Sequence, residues 1–185
     1  MIMRILKSMA LASALFCAVS QAAPILTLAP LGGAISGTPG ATVGWGFTLT
    51  NTTDYLVVSS ASFVPATSLG TFTDFSAFNF FVVGPAPDST SVSRVFDAPS
   101  QAGIGSFTID AGALVGAVAS GQIVLSYDLY SVSPNNPLFN PDTDTLSNGN
   151  TLAVNASVTV VPEPEGLLLL TAGLIVLYGA HRRRG

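Results

Sequence analysis

The side chains that most often do chemistry in proteins are almost absent from the middle of this sequence. The single His, His181, and the single Cys, Cys17, lie close to the two ends, and no Lys occurs between residues 24 and 161. A catalytic triad, a cysteine nucleophile and a zinc site each need such side chains. The ionisable residues of this stretch are Arg94 and the aspartates Asp54, Asp74, Asp88, Asp97, Asp110, Asp128, Asp142 and Asp144. Hydrolytic chemistry would therefore depend on carboxylates alone.

Two carboxylates suffice for a glycosidase, in which burial raises the pKa of the one that acts as acid. No pair of these aspartates stands out by its spacing, and most occur at turns, where an Asp side chain binds its own backbone. We therefore expect that the protein is not an enzyme, and a carboxylate-only glycosidase is the least favoured alternative.

One polar segment, residues 140–150, carries oxygen ligands of the kind that Ca²⁺ prefers. The candidate ligands are Asp142, Asp144, Asn148 and Asn150. Leu146 breaks the spacing of an EF-hand loop, and a surface loop rich in Asx turns is the favoured reading of the same residues. Calcium is the one cofactor that the sequence leaves open.

The charge balance bears on partners. Six Lys and Arg against ten Asp and Glu give a formal net charge of −4. A nucleic-acid-binding protein needs clustered cations to neutralise phosphates, so nucleic acid is not an expected partner.

The C-terminal residues form three consecutive parts: Pro162-Glu163-Pro164, an apolar run over 166–180, and Arg182, Arg183 and Arg184. The prolines cannot continue a strand and keep the chain extended. As a helix the apolar run is about 22 Å long, against a hydrocarbon core of roughly 30 Å. Arginines beside a membrane helix favour the cytoplasmic side.

This three-part tail resembles the PEP-CTERM sorting signal of Gram-negative bacteria. The resemblance implies that an exosortase, a membrane-embedded protease or transpeptidase, cuts near Pro162-Glu163-Pro164 and delivers the protein to the cell surface or the medium. It also implies an association with exopolysaccharide and biofilm. An ordinary C-terminal membrane anchor is the alternative.

The N-terminal residues 1–22 have the features of a secretory signal peptide. Arg4 and Lys7 precede a short apolar run, and Ala22 supplies a small residue for cleavage. Sec export and signal peptidase are the implied partners. Because Cys17 lies inside this peptide, the mature protein is expected to contain no cysteine.

The region 23–161 alternates apolar and polar residues with the period of β-strands. Val43, Trp45 and Phe47 share one face of a run over 41–50, and a second run follows the Asn51–Asp54 turn, which predicts a hairpin over 41–63. Further strands are predicted at 67–73, 78–83, 91–96, 106–109, 121–132 and 151–161. Residues 110–120 are predicted to form a short helix or an irregular crossover.

Many short strands separated by turns are typical of a β-sandwich. The segment 40–53, with Val43, Trp45, Phe47, Leu49 and Asn51, also resembles a strand and turn of bacterial immunoglobulin-like surface domains. The predicted fold is all-β: one immunoglobulin-like β-sandwich ectodomain over 23–161, between an N-terminal signal helix and a sorting tail over 162–185 that contains a transmembrane helix over 166–180.

Together these patterns predict an exported protein that is transiently anchored in the inner membrane and then reaches the cell surface or the extracellular matrix. A structural or adhesive role in a biofilm is the favoured function. The alternative is a calcium-assisted carbohydrate-binding module with exopolysaccharide as partner, in which Asp142 and an aromatic residue such as Tyr127 would contact the ligand.

Overall fold

The computed structural model describes residues 23–163, Leu169 and Ala172. Short strands dominate the first range, and its two helices are a 3₁₀ helix at Ser76–Phe78 and α1 at Pro141–Asp144. The strands are β1 (Ile25–Ala29), β2 (Ala34–Gly37), β3 (Thr42–Thr50), β4 (Tyr55–Pro65), β5 (Gly70–Asp74), β6 (Val82–Val83), β7 (Ser91–Arg94), β8 (Gly105–Ile109), β9 (Val118–Tyr130) and β10 (Thr145–Val160). The predicted all-β class is confirmed.

The strands form two five-stranded sheets. The first sheet has the order β1-β3-β8-β5, with β7 paired to the second half of β3. The second sheet has the order β2-β10-β9-β4-β6. All neighbouring strands are antiparallel except β2 and β10, which are parallel.

One apolar core lies between the two sheets, as expected when each strand turns alternate residues inward. Trp45 of the first sheet is fully buried, and its indole N–H donates a 2.8 Å hydrogen bond to the carbonyl oxygen of Gly33. Its ring centroid lies 5.2 Å from that of Phe63 in the second sheet, and Phe63 meets Phe107 edge-on at 5.6 Å. The sheets therefore pack face to face as a β-sandwich.

The predicted hairpin over 41–63 is wrong, because β3 and β4 belong to different sheets. The turn between them is fixed by Asn51, whose buried side-chain amide donates to the carbonyl oxygens of Asp54 at 2.5 Å and Val83 at 3.2 Å. These bonds hold the chain where it crosses from the first sheet to the second. Alternation indicates which residues face inward, but not which strand is the neighbour.

Other boundaries also differ from the prediction. β1 and β2 were not predicted, β10 begins at Thr145 rather than at 151, and the expected strand over 78–83 is reduced to β6. Of the two alternatives for 110–120, the irregular crossover is confirmed. Turns there are closed by hydrogen bonds from the N–H of Ala113 to Asp110 and from that of Ala117 to Leu114.

Several predicted features lie outside the described residues. They are the signal peptide 1–22, Pro164, the arginines 182–184 and all of the expected transmembrane helix 166–180 except Leu169 and Ala172, which are helical. Helices in the described part of the chain lack the length and hydrophobicity of a membrane span.

The long strands give the sandwich two distant ends. At one end Tyr55, Tyr130 and Thr145 lie side by side where β4 and β10 begin and β9 ends, and we call this the cleft pole. At the other end β9 begins and β10 ends, and Val118 pairs with Thr159. We call this end the tail pole. β9 has 13 residues, so the poles are about 40 Å apart at roughly 3.3 Å per residue.

Replacing Trp45 by Phe tests the packing of the two sheets. The variant removes one of the two donors to the buried Gly33 carbonyl oxygen, which keeps the N–H of Ser157, and it opens space beside Phe63. We expect a loss of about 2–4 kcal/mol in the free energy of unfolding, measured by urea denaturation. Leu31→Ala, at a residue that is 88% exposed, is the matched control and should unfold like the wild type. Equal stability of the two variants would contradict the central role of Trp45.

Candidate functional site: a polar cleft at one end of the sandwich

An open cleft of about 450 Å³ lies at the cleft pole. Its walls come from three parts of the chain: the first residue of β4, the loop 84–90 between β6 and β7, and the loop 131–140 that follows β9. Tyr55 and the rings of Pro87 and Pro137 give it apolar surfaces, and Ser131, Ser133, Asn135 and Asn136 supply polar groups.

Asp88 joins the two loops that form the cleft. Its carboxylate accepts one hydrogen bond from the hydroxyl of Ser133 and another, at 2.7 Å, from the side-chain amide of Asn135. The hydroxyl oxygen of Ser133, a residue only 3% exposed, in turn accepts the backbone N–H of Asn135 at 3.1 Å. Both carboxylate oxygens are thus engaged, and Asp88 holds the loop 131–140 against the loop 84–90.

Aromatic residues support the cleft from the sheet. The hydroxyl of Tyr55 donates to the carbonyl oxygen of Ala86 at 3.2 Å. The rings of Tyr130 and Phe139 meet edge to face, with centroids 5.2 Å apart, which packs the loop onto the end of β9. Burial, and then the negative charge of Asp128, raise the pKa of Tyr130 above its ordinary value of 10.0. Its phenol therefore stays neutral at physiological pH.

This arrangement suits binding better than proton transfer. The carboxylate at the cleft already accepts two hydrogen bonds, whereas a tyrosine ring beside prolines and amides provides stacking surfaces and neutral donors and acceptors. Such a lining fits a neutral polar ligand. Sequence reasoning missed this site because Tyr55, Asp88 and Asn135 are far apart in the chain. Only the clustered prolines and asparagines of 134–137 hinted at a structured loop.

The four calcium candidates lie on the two elements that follow the cleft loop 131–140 in the chain. Asp142 and Asp144 belong to α1, and Asn148 and Asn150 belong to β10. The carboxylate of Asp144 accepts the N–H of Asn140 at 2.8 Å, and the side-chain oxygen of Asn140 caps α1 by accepting the N–H of Asp142 at 3.1 Å.

Asn150 has a partner as well. The side-chain amide of Asn150 donates to the hydroxyl of Ser147 at 2.7 Å. Within residues 23–163, Leu169 and Ala172, no group of three or more His, Cys, Asp or Glu side chains could hold a metal ion. A calcium site built from Asp142, Asp144, Asn148 and Asn150 stays a prediction.

Tyr127 and the first two residues of the predicted sorting motif also have defined positions. Tyr127 is buried in the core, so its ring is not available for stacking on a ligand, and Tyr55 is the tyrosine that lines the cleft. Pro162 and Glu163 of the predicted sorting motif are exposed and follow β10, at the tail pole. The cleft and these two residues therefore lie at opposite ends of the sandwich.

Comparison with known proteins leaves the chain without a family. No family model matches it, and no curated protein matches it significantly. Solved structures that match include a chain from a crystal structure of a complex of CaDoc0917 with CaCohA2, and the solution structure of CaCohA2 from Clostridium acetobutylicum. Each is 21% identical to this chain, with a TM-score of 0.26. Both alignments cover 75% of this chain; they cover 100% of the chain from the complex and 90% of the chain in the solution structure. Likeness this low supports no conclusion about function.

Replacing Asp88 by Asn tests the joint between the two loops. The two hydrogen bonds go to different carboxylate oxygens, so an amide, which keeps one oxygen and no charge, loses one acceptor and weakens the remaining bond, and the loop 131–140 should open more often. We expect faster backbone hydrogen exchange at residues 131–137 and a loss of about 1–3 kcal/mol in local stability. Asp142→Asn is the control. Unchanged exchange at 131–137 in Asp88→Asn would contradict this role.

Proposed function

We propose that this protein is an exported component of the cell envelope or extracellular matrix, sorted by a PEP-CTERM and exosortase-like system, with a structural or adhesive and non-enzymatic role. The observation that supports this most directly is the way the chain leaves the domain. The N–H of Val161 still donates to the carbonyl oxygen of Gly37 at 2.9 Å, and Pro162 and Glu163 are then fully outside the sheet.

A sorting protease needs an accessible, extended substrate next to a folded domain. Pro162 cannot donate a ladder hydrogen bond, so β10 cannot continue through it, and Pro164 keeps Glu163 extended. The apolar run over 166–180 and the arginines follow in the sequence, and they would hold the segment Pro162–Pro164 close to a membrane-embedded enzyme. Until cleavage the protein is anchored in the inner membrane, and afterwards it is at the cell surface or in the medium.

The surface of the sandwich fits a matrix component. Hydroxyl groups pair across the outer face of the first sheet, with Thr48 and Ser93 2.9 Å apart and Thr42 and Thr108 3.1 Å apart. Such a neutral, hydroxyl-rich face meets polysaccharide without charge repulsion. We also propose that the sandwich belongs to the immunoglobulin-like class, on the resemblance of residues 40–53 alone.

Replacing Glu163 by Ala tests the sorting motif. Glu165→Ala removes the same charge two residues away and is the matched control. If the tripeptide is recognised, Glu163→Ala should stay in the inner-membrane fraction of the protein's own host, whereas Glu165→Ala and the wild type reach the surface or medium. Immunoblotting of the separated fractions measures this. Release of Glu163→Ala at the wild-type level would contradict recognition of the motif.

A second candidate function is carbohydrate binding at the cleft pole, and the cleft lined by Tyr55 and two prolines favours it. Sugars stack on exposed aromatic rings, and neutral amides can bind their hydroxyls. In this candidate function, the asparagines and aspartates of 140–150 would bind a calcium ion that assists sugar binding.

Replacing Tyr55 by Ala tests the second candidate. Affinity electrophoresis through exopolysaccharide from the same host should show the retardation lost in Tyr55→Ala, with a cost of about 1–2 kcal/mol in binding. Tyr55→Phe, which keeps the ring, should still be retarded. A chelator should weaken binding only if calcium takes part. Equal migration of wild type and Tyr55→Ala would remove the cleft as a glycan site.

A further inference from the structure

The tail pole exposes an apolar patch beside the point where the chain leaves the domain. Leu114 is 79% exposed, Val115 56% and Val118 49%. They lie in the crossover between β8 and β9 and at the first residue of β9. Contiguous exposed apolar patches mark protein or membrane interaction sites.

Backbone hydrogen bonds fix this patch to the last residue of β10. The N–H of Gly116 donates to the carbonyl oxygen of Val160 at 2.8 Å, and the N–H of Val160 donates to that of Ala117 at 2.9 Å. Only Val161 to Glu165 separate Val160 from the apolar run over 166–180. Five extended residues reach at most about 17 Å. If that run is in a bilayer, the patch is held close to its surface.

The distribution of acidic residues also favours an orientation in which the tail pole faces the membrane. Five aspartates lie at or near the cleft pole, whereas Asp110 of the crossover and Glu163 after β10 are the acidic residues that the structure describes near the patch. The five are Asp54, Asp88, Asp128, Asp142 and Asp144. A surface of anionic lipids repels the cleft pole more strongly than the tail pole, within the Debye length of about 8 Å.

We propose that Leu114, Val115 and Val118 form a membrane-contact patch that enters the lipid interface while the tail is anchored. This inference rests on the proposed function, in which residues 166–180 hold the protein in the membrane. The tether keeps the patch at the surface, so the three side chains need only a shallow insertion of about 5–10 Å. The cleft then lies about 40 Å from the bilayer. The Pro162–Pro164 segment lies in the interface, where a membrane-embedded protease acts.

A single fluorescent label at each pole tests the proposal on the full mature chain. Removal of the signal peptide takes Cys17 with it, so Leu114→Cys and Leu138→Cys each create one labelling site. Leu138 is 86% exposed at the cleft pole and is the matched control. The protein, produced without an exosortase, is reconstituted into vesicles of phosphatidylethanolamine and phosphatidylglycerol that contain nitroxide-labelled lipid.

The Leu114→Cys label should emit at shorter wavelength in vesicles and be strongly quenched by the nitroxide, whereas the Leu138→Cys label should show neither change. Equal emission and quenching at the two sites, in protein that floats with the vesicles, would overturn the membrane-contact patch and leave the anchor intact. Failure of both variants to float would overturn the anchor and the patch together. A Leu114→Cys shift that appears without lipid and grows with protein concentration would assign the patch to a second copy of the chain and overturn the proposal.

Discussion

The burial of Trp45 between the two sheets holds them together. Its ring contacts Phe63 of the second sheet and Phe72 of the first, and its N–H binds the carbonyl oxygen of Gly33 just before β2. One side chain thus links β3, the turn before β2, and the second half of β4. The cleft and the point where the chain leaves the domain lie at opposite ends of these strands, so their positions depend on the packing around Trp45.

Close packing of the backbone also depends on residues without side chains. A Cβ at Gly121 would lie 2.1 Å from the carbonyl oxygen of Val64, and one at Gly70 would lie 2.1 Å from that of Thr108. These contacts are with backbone atoms that cannot move independently, so neither position accepts a larger residue without displacing a strand. The glycines allow β4 against β9 and β5 against β8 to approach where each pair nears the tail pole.

Much of the fold could be predicted from local pattern, and the site could not. The alternation of Val43, Trp45 and Phe47 identifies the inward face of β3 because period two is a property of the strand itself. That β4 joins the other sheet instead of pairing with β3 depends on the turn at Asn51, whose side chain binds a residue as distant as Val83. Local pattern does not reveal such a contact. The Asp88 cleft has the same origin, since its partners Ser133 and Asn135 follow more than 40 residues later.

The proposed sorting tail is the reverse case, because the residues that would form its signal are consecutive and need no tertiary partner. In the proposed function the chain is cut near Pro162-Glu163-Pro164 after export. The most direct test is the intact mass and C-terminal peptide of the mature protein from its own host, with and without the exosortase. The account predicts a chain that ends within the Pro162–Pro164 region only when the enzyme is present. A mass that retains residues 166–185 in both strains would contradict it.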